Sequence, residues 1–402
     1  MIHREIPPTA GLPLRWSDFF GAPPDPLENG LAKFIGVPEV QIECSGTASL
    51  IVALETLKRR SPRRTVVIPA FNCPLVPLAI RHCGLNIRLC DIQPDRFDPD
   101  PDSLRECVDS DTLCIVPAHL AGTAVDLDAV LDIAKQAGAF VIEDAAQALG
   151  ATRSGRSVGT SGDIGFFSLA CGKGLTSYEG GVLIARDPVL RAALRETGRE
   201  IIRSHRGMEF LRFAQLLFYR IFYNPTGLGL TNGAHGLLWL ARSRSGSAGG
   251  SEGPSDIPLH AVGTTRKNVA ARALPRLRDA IEQNAVRARE RIARLENLIP
   301  GLTIIRDLPG SSGTWPHIML AFRDRKKCAA VLDALWDSGL GVGKLFVHDL
   351  RGYEQLKSIL PSALTPNARS FAARHQTITN SPWLGEAGFE QILAALRGLS
   401  RI

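Results

Sequence analysis

Hydrophobic residues between positions 47 and 185 fall into short unbroken runs, separated by stretches in which they recur at helical intervals. The runs are Thr65 to Ile68, Leu113 to Val116, Ala139 to Ile142, Gly165 to Ser168 and Val182 to Ile184. Continuous apolar stretches of this length suit parallel strands buried on both faces. Between them, Leu50, Ile51, Leu54 and Leu57 lie along one side of a helix, as do Leu127, Val130, Leu131 and Ala134. Asp126 is the expected N-cap of the second helix and Gly138 its end. This alternation predicts an α/β fold: a mostly parallel sheet between two helical layers, three layers in all. Such sheets bind ligands in the loops beyond the carboxyl ends of their strands.

The rhythm breaks after residue 200. Glu209 to Tyr223 reads as an apolar helix, with Arg212, Gln215 and Arg220 as a narrow polar stripe. Residues 243 to 256 are rich in Gly and Ser and read as a mobile linker. Asn268 to Ile299 reads as a long helix bent near Pro275, with many arginines on an ion-paired, solvated face. Strand and helix signals return at Leu302 to Ile305, His317 to Phe322, Lys326 to Ser338 and Phe389 to Leu399. The expected organisation is a large domain over residues 1–260 and a smaller C-terminal α/β domain over 261–402. The large domain would carry an N-terminal arm and an apolar, Gly/Ser-rich insert at about 200–258.

Composition narrows the function classes. The chain has 402 residues, 45% of them apolar and 22% charged, which excludes wholesale disorder. Its net charge of +7 is compatible with an anionic substrate but too dilute to argue for nucleic acid. Eight cysteines are scattered without a Cys-x-x-Cys pair, so neither a zinc site nor a disulfide framework is expected, and a reducing cytoplasm is. Met1 to Pro8 lacks the apolar core of a signal peptide, and no run of about 18 uncharged apolar residues suggests a membrane span. The helix at 209–223 reads as packed against the body or a second subunit. Its arginines leave a peripheral membrane contact as the other reading.

Candidate chemistry sits at predicted strand ends. Ser45-Gly46-Thr47 directly precedes a helix, where free amides bind anions, although an ordinary N-cap has the same pattern. Asp144 ends an apolar strand in VIEDAAQ, where a buried acid needs a cationic partner. That partner could be an ion pair or a protonated ring nitrogen. Ser168 closes GDIGFFS, and Lys173 follows in a Gly-rich loop between apolar strands, where desolvation would make its amine nucleophilic. The stretch before Lys173 is not a P-loop, since Gly174 stands where Ser or Thr is required. Neither a complete dinucleotide fingerprint nor a Gly-x-Ser-x-Gly elbow is present. An anion cradle, a strand-end acid and a desolvated lysine are together what pyridoxal phosphate requires.

The strings ECSGTASLIVALETL, VVIPAFNCPLVPLAI, IVPAHLAGTAVDLDAVLDIAKQAGAFVIEDAAQALGA and SVGTSGDIGFFSLACGKGLTSYEGGVLIARD resemble the pyridoxal-phosphate-dependent sugar aminotransferases of the DegT/DnrJ/StrS type. These enzymes have the aspartate-aminotransferase-like fold. GTTRKNVAARALPRLRDAI and TNSPWL match more loosely. The resemblance implies Lys173 as the amine that takes the cofactor and moves protons, and Asp144 as the partner of its ring nitrogen. It places Gln147 near the ring and its phenolic oxygen, and gives the phosphate to Gly46, Thr47 and Ser168. His119, in the HLxG string, could line the site or be structural. Two departures stand out. Cys73 occupies the place of an aromatic that stacks on the cofactor, with Phe71 as a substitute, and Thr265 stands where many members carry an Asn reaching the partner subunit's phosphate. The implied activity is transfer of an amino group from an amino acid, glutamate by analogy, to a keto-sugar carried on a nucleotide, by a homodimer. Dehydration or another outcome on the same cofactor, action on a lipid-linked or non-sugar carbonyl, and a non-catalytic regulatory role are the alternatives. Lys173 speaks against the dehydratase branch, where His replaces it.

Overall fold

The computed structural model describes residues 4–232 and 257–398. Its main sheet has seven strands: β1 (Gln41–Glu43), β2 (Thr65–Pro69), β3 (Asn86–Cys90), β4 (Thr112–Ile115), β5 (Phe140–Asp144), β8 (Ile164–Ser168) and β9 (Gly181–Ala185). A small hairpin, β6 (Thr152–Arg153) and β7 (Arg156–Ser157), intervenes. The strand order is β1-β9-β8-β5-β4-β2-β3, with β3, β2, β4, β5 and β8 mutually parallel and β9 reversed. Helices α1 (Leu27–Ile35), α2 (Gly46–Arg60), α3 (Leu75–His82), α4 (Pro101–Cys107), α5 (Asp128–Ala137) and α6 (Pro188–Ile201) cover it. The alternation of a strand is visible in the cores. Phe166 and Leu183 face one cluster with the residues of α2 and β2, while Phe167, Val182 and Ile184 face the other with Leu27 and Leu31 of α1. The three-layer, mostly parallel architecture is therefore the observed one.

Every apolar run read as a strand is one, within a residue or two at its ends. Besides the two-residue strands, three strands lacked that signal. β1 and β3 mix polar with apolar positions, and β14 (His375–Thr379, HQTIT) is wholly buried although mostly polar. Hydrogen bonds replace hydrophobicity there: the Thr379 hydroxyl donates to Pro7 O at 2.7 Å, and the Gln376 amide donates to Cys328 O. The N-cap of α5 is Leu127 rather than Asp126. Asp126 acts one residue earlier, its carboxylate accepting from the Asp128 amide at 3.0 Å and pairing with Arg153. Gly138 ends the helix in the left-handed region, φ 63°, as its position predicts.

Beyond the sheet, α7 (Arg206–Phe222) begins three residues before the expected helix, capped by His205. It buries Leu216 and Tyr219 and leaves Phe210, Leu211 and Ile221 exposed. α8 (Pro225–Asn232) follows, and the Gly/Ser-rich stretch 243–256 lies outside the described residues. The expected bent helix is α9 (Thr264–Ala273), one 3₁₀ turn at Leu274–Arg276 containing Pro275, and α10 (Leu277–Leu295). Val269 to Leu277 packs in the same cluster as α1, whereas Ala288 to Leu295 belongs to the C-terminal cluster. That cluster supports a four-stranded antiparallel sheet, β10 (Leu302–Ile304), β12 (His317–Phe322), β14 and β13 (Val342–Gly343), in that order. Helices α11 (Arg325–Leu335), α12 (Pro366–Arg374) and α13 (Glu386–Gly398) accompany it, and a short strand β11 (Ser311–Ser312) crosses to β6. Among the described residues, no helix is long and apolar enough to cross a membrane.

Gly165 sits where loop 159–162 lies directly over β8. A Cβ there would stand 2.0 Å from Gly159 O, a backbone atom that cannot swing aside. Gly165→Ala should lower stability by roughly 1–3 kcal/mol, read as a shift of the chemical-denaturation midpoint. An unchanged midpoint would show that the loop yields.

Candidate active site

The carboxyl ends of β5 and β8 lie side by side, with Asp144 in register with Phe166. Two adjacent acids end β5, and they meet different fates. Glu143 is fully buried and saturated: it accepts from His119 Nε2 at 2.9 Å and from the amides of Gly159 (2.7 Å), Ser161 (2.5 Å) and Gly162 (2.5 Å). Burial alone would raise its pKa, but His119 and the amides outweigh burial and hold the carboxyl below its ordinary value. His119 Nδ1 in turn accepts from the Val125 amide at 3.1 Å, so the ring joins β4's trailing loop to this carboxylate. His119 therefore does structural work through Glu143.

Asp144 is buried too, but among the described residues its carboxylate accepts a single hydrogen bond, from the Ala146 amide at 3.0 Å. Burial raises its pKa; that amide, Lys173 and His119 oppose the rise. Lys173 stands in the loop after β8. Burial lowers its pKa, while Cys73 and Asp144 pull the other way. Among the described residues its ammonium makes no hydrogen bond or ion pair. The loop itself is fixed from outside: the Thr9 hydroxyl donates to Gly172 O at 2.7 Å and meets Tyr223 Oη at 3.3 Å, and the Leu12 amide donates to Gly174 O at 2.9 Å. Gly172 has φ 76°, and Gly11 lets the arm approach so closely that a Cβ would stand 2.6 Å from Lys173 O.

Gly46 and Ser168 meet at the start of α2, where a Cβ on Gly46 would come within 3.2 Å of Ser168 Cβ. Ser45 caps the helix by accepting from the Ala48 amide at 3.0 Å, and Thr47 is half-buried beside it. Helix geometry leaves the Gly46 and Thr47 amides directed outward for an anion. Lys173 and Gln147 line a cavity of about 220 Å³, whereas Gly46, Thr47, Ser168 and Asp144 do not line it. Gln147 Oε1 accepts from the Ala121 amide at 2.8 Å, which fixes the side chain on the wall.

Phe71 does not replace the missing aromatic. It is 1% exposed and held among Phe97, Phe346, Phe371 and His375. Cys73, whose thiol burial pushes up, is the side chain within electrostatic reach of Lys173 and Asp144 at that place. Other wall residues carried no sequence signal: Thr9 of the arm, Tyr223 of the insert, Asn284 of α10, His317 of β12, and Lys344 and Thr377. His317 is 6% exposed, its Nε2 has no hydrogen-bond partner among the described residues, and burial, aided by Lys173, lowers its pKa to about 4. Thr265 lies on α9, next to the fully buried Arg266. Arg266 ties that helix to Glu209 of α7 and to Ser177 O and Glu179 O. Among the described residues no group of three or more His, Cys, Asp or Glu is placed to hold a metal ion.

A model of the DegT/DnrJ/EryC1/StrS aminotransferase family matches residues 12–213, half of the chain. The chain belongs to this family. It is 33% identical over 169 residues to a GDP-perosamine synthase of Caulobacter vibrioides, covering 42% of this chain and 45% of that protein. It is 39% identical over 160 residues to an L-glutamine:2-deoxy-scyllo-inosose aminotransferase of Streptomyces kanamyceticus, covering 39% and 37%. The chain thus spans less than half the length of these curated relatives. The putative sugar aminotransferase Spr1654 of Streptococcus pneumoniae, solved in its PLP form, superposes with a TM-score of 0.73 at 16% identity, over 99% of each chain. That likeness concerns the fold.

Glu143→Gln removes a carboxylate that four donors address, so the variant should be less stable by about 3 kcal/mol at pH 7. Because the folded-state pKa is depressed, this stabilisation is full above the ordinary value of 4.5 and is lost as pH falls through the folded value. Denaturation midpoints of wild type and variant should therefore converge as pH falls through that folded value. A constant gap across pH would contradict the assignment.

Proposed function

We propose that this chain is a pyridoxal-phosphate-dependent aminotransferase that moves an amino group from an amino acid, glutamate or its amide, to a keto-sugar, carried on a nucleotide. The observation that carries the proposal is Lys173. Among the described residues its amine has no ion pair, its loop is clamped by the N-terminal arm through Thr9 and Leu12, and burial favours the neutral, nucleophilic form. The rest of the donor set fits the same group. The crowded approach of Gly46 to Ser168 at a helix start suits a phosphate, and a buried Asp144 with spare accepting capacity suits a protonated ring nitrogen.

In this reading Gly46, Thr47 and Ser168 hold the phosphate. Asp144 keeps the ring nitrogen protonated, and Gln147, fixed by Ala121, lies beside the ring. The cofactor, when bound, supplies an electron sink for the substrate carbon that loses its proton. Lys173 Nζ takes that proton and returns it, in both directions of transfer. Its lowered pKa makes the unprotonated amine more available than that of a free lysine, so the rate of loading should rise with pH through the lowered value and then level.

The eight free cysteines support a cytoplasmic setting. The exposed stripe of Phe210, Leu211 and Ile221 supports a homodimer. Light scattering on the full chain should give twice the chain mass, and a stable monomer would overturn that part.

Purified protein supplied with pyridoxal phosphate should be trapped by borohydride on Lys173, identified by peptide mass. Lys173→Ala should lose the adduct and lower conversion of glutamate to 2-oxoglutarate by at least about a hundredfold. An intact adduct on another residue, or a variant that still transaminates, would refute the reading.

A further inference from the structure

The loop that carries Lys173 doubles back between β8 and β9, and the arm holds its Lys173 half. The returning half is Ser177-Tyr178-Glu179. The two halves bond to each other: the Leu169 amide donates to Gly180 O at 2.7 Å, and the Cys171 amide to Tyr178 O at 3.0 Å. Cys171 lies two residues before Lys173, so the direction of the Tyr178 carbonyl sets the chain's approach to the lysine. Tyr178 has φ 72°, a left-handed conformation that a bulky side chain rarely adopts. Such strain persists only where the surroundings hold it in place.

Two guanidinium groups hold it. Arg266 of α9, 0% exposed, donates from one nitrogen to Ser177 O at 3.2 Å and to Glu179 O at 2.6 Å, gripping the carbonyls on either side of Tyr178. Arg212 of α7 lies over the Tyr178 ring, 6.0 Å from its centroid, and its Nε is 2.6 Å from Glu179 Oε2. Both grips depend on the insert. The counter-ion of Arg266 is Glu209, three residues before Arg212 on α7, and without it a buried charge would stand uncompensated. His260 stands between the two carboxylates, Nε2 3.7 Å from Glu179 Oε2 and Nδ1 3.7 Å from Glu209 Oε1. Two acids and two arginines thus balance each other in one largely buried patch that joins α7 and α9 to the lysine loop. Charges so costly to desolvate are a poor source of stability. What they supply here is direction, because three consecutive loop residues are held at once.

We infer that Glu209 and Arg212 of α7 are positioning residues for Lys173, acting through the strained turn at Tyr178. The inference rests on the aminotransferase reading and adds to it what the insert does for the reaction. When the turn relaxes, the Cys171 amide loses Tyr178 O, the loop opens to water and Lys173 is less withdrawn from solvent. Burial is the main cause of its lowered pKa, so opening returns the amine toward its ordinary, protonated state. The groups that act on Lys173 directly, Cys73, Asp144 and His317, lie on other elements and stay in place, as do Glu5 and Lys344 on the cavity wall.

The readout is the rate at which the cofactor-free full chain takes up pyridoxal phosphate on Lys173, trapped with borohydride across a series of pH values. In Arg212→Gln the rate near neutral pH should fall at least about fivefold, and the rise of rate with pH should move to higher pH. Arg212→Lys, which keeps a charge beside Glu179, should recover most of the loss, and Glu209→Gln should act in the same direction as Arg212→Gln. The effect of Arg212→Gln should be smaller when Tyr178→Gly is already present, because glycine needs no restraint at that dihedral. Denaturation midpoints separate this role from simple destabilisation. An Arg212→Gln variant that unfolds more readily yet loads with the wild-type pH profile overturns the inference, as do equal losses with and without Tyr178→Gly. Wild type that takes up no pyridoxal phosphate on Lys173, or takes it up and never converts glutamate or glutamine, overturns the aminotransferase reading instead.

Discussion

A strand sends successive side chains to opposite faces, and at the end of β5 that alternation separates two carboxylates. Glu143 turns toward loop 159–162 and is consumed by it, with three amides and one imidazole as donors. Asp144 turns the other way and retains accepting capacity toward Lys173. A buried acid in want of partners is unstable as an anion. Giving Glu143 every nearby donor makes the strand end rigid, and that rigidity is what allows Asp144 to remain under-bonded in a fixed place. If the two acids shared donors, neither the loop nor the site would be defined.

The parts of the fold legible in the sequence were those built by apolar burial. β2, β4, β5, β8 and β9 are unbroken hydrophobic runs because helices cover both faces, and the strand-end acid, serine and lysine stand out against them. β14 was invisible because its residues are buried by hydrogen bonding rather than by hydrophobicity, which no periodicity reveals. Thr377 of that strand lines the cavity, so this part of its wall was hidden with it. Phe71 could not be assigned from its neighbours in the chain, because its partners Phe346 and Phe371 are far along the sequence. Asp126 shows the smaller error: an acid near a helix start can satisfy it from one residue outside the cap.

The insert that follows α6 is tied to the chemistry more closely than an appendage would be. Tyr223, just after α7, reaches the cavity wall and the Thr9 hydroxyl, while Arg212 and Glu209 of the same helix bind Glu179 and Arg266. One side of α7 is thereby committed to the lysine loop and its neighbours, and the other carries the exposed apolar stripe.

The arm has a consequence for the order in which the molecule is built. Its amides bond to Pro225 O, Gly339 O, Pro316 O and Gly174 O, at residues 5, 6, 10 and 12, and its Thr9 hydroxyl to Gly172 O. Every group that these residues dock on follows them in the chain, by as many as 372 positions where Pro7 O accepts from the Thr379 hydroxyl. The Lys173 loop therefore takes its final shape only once the C-terminal sheet has folded and can hold the arm in place.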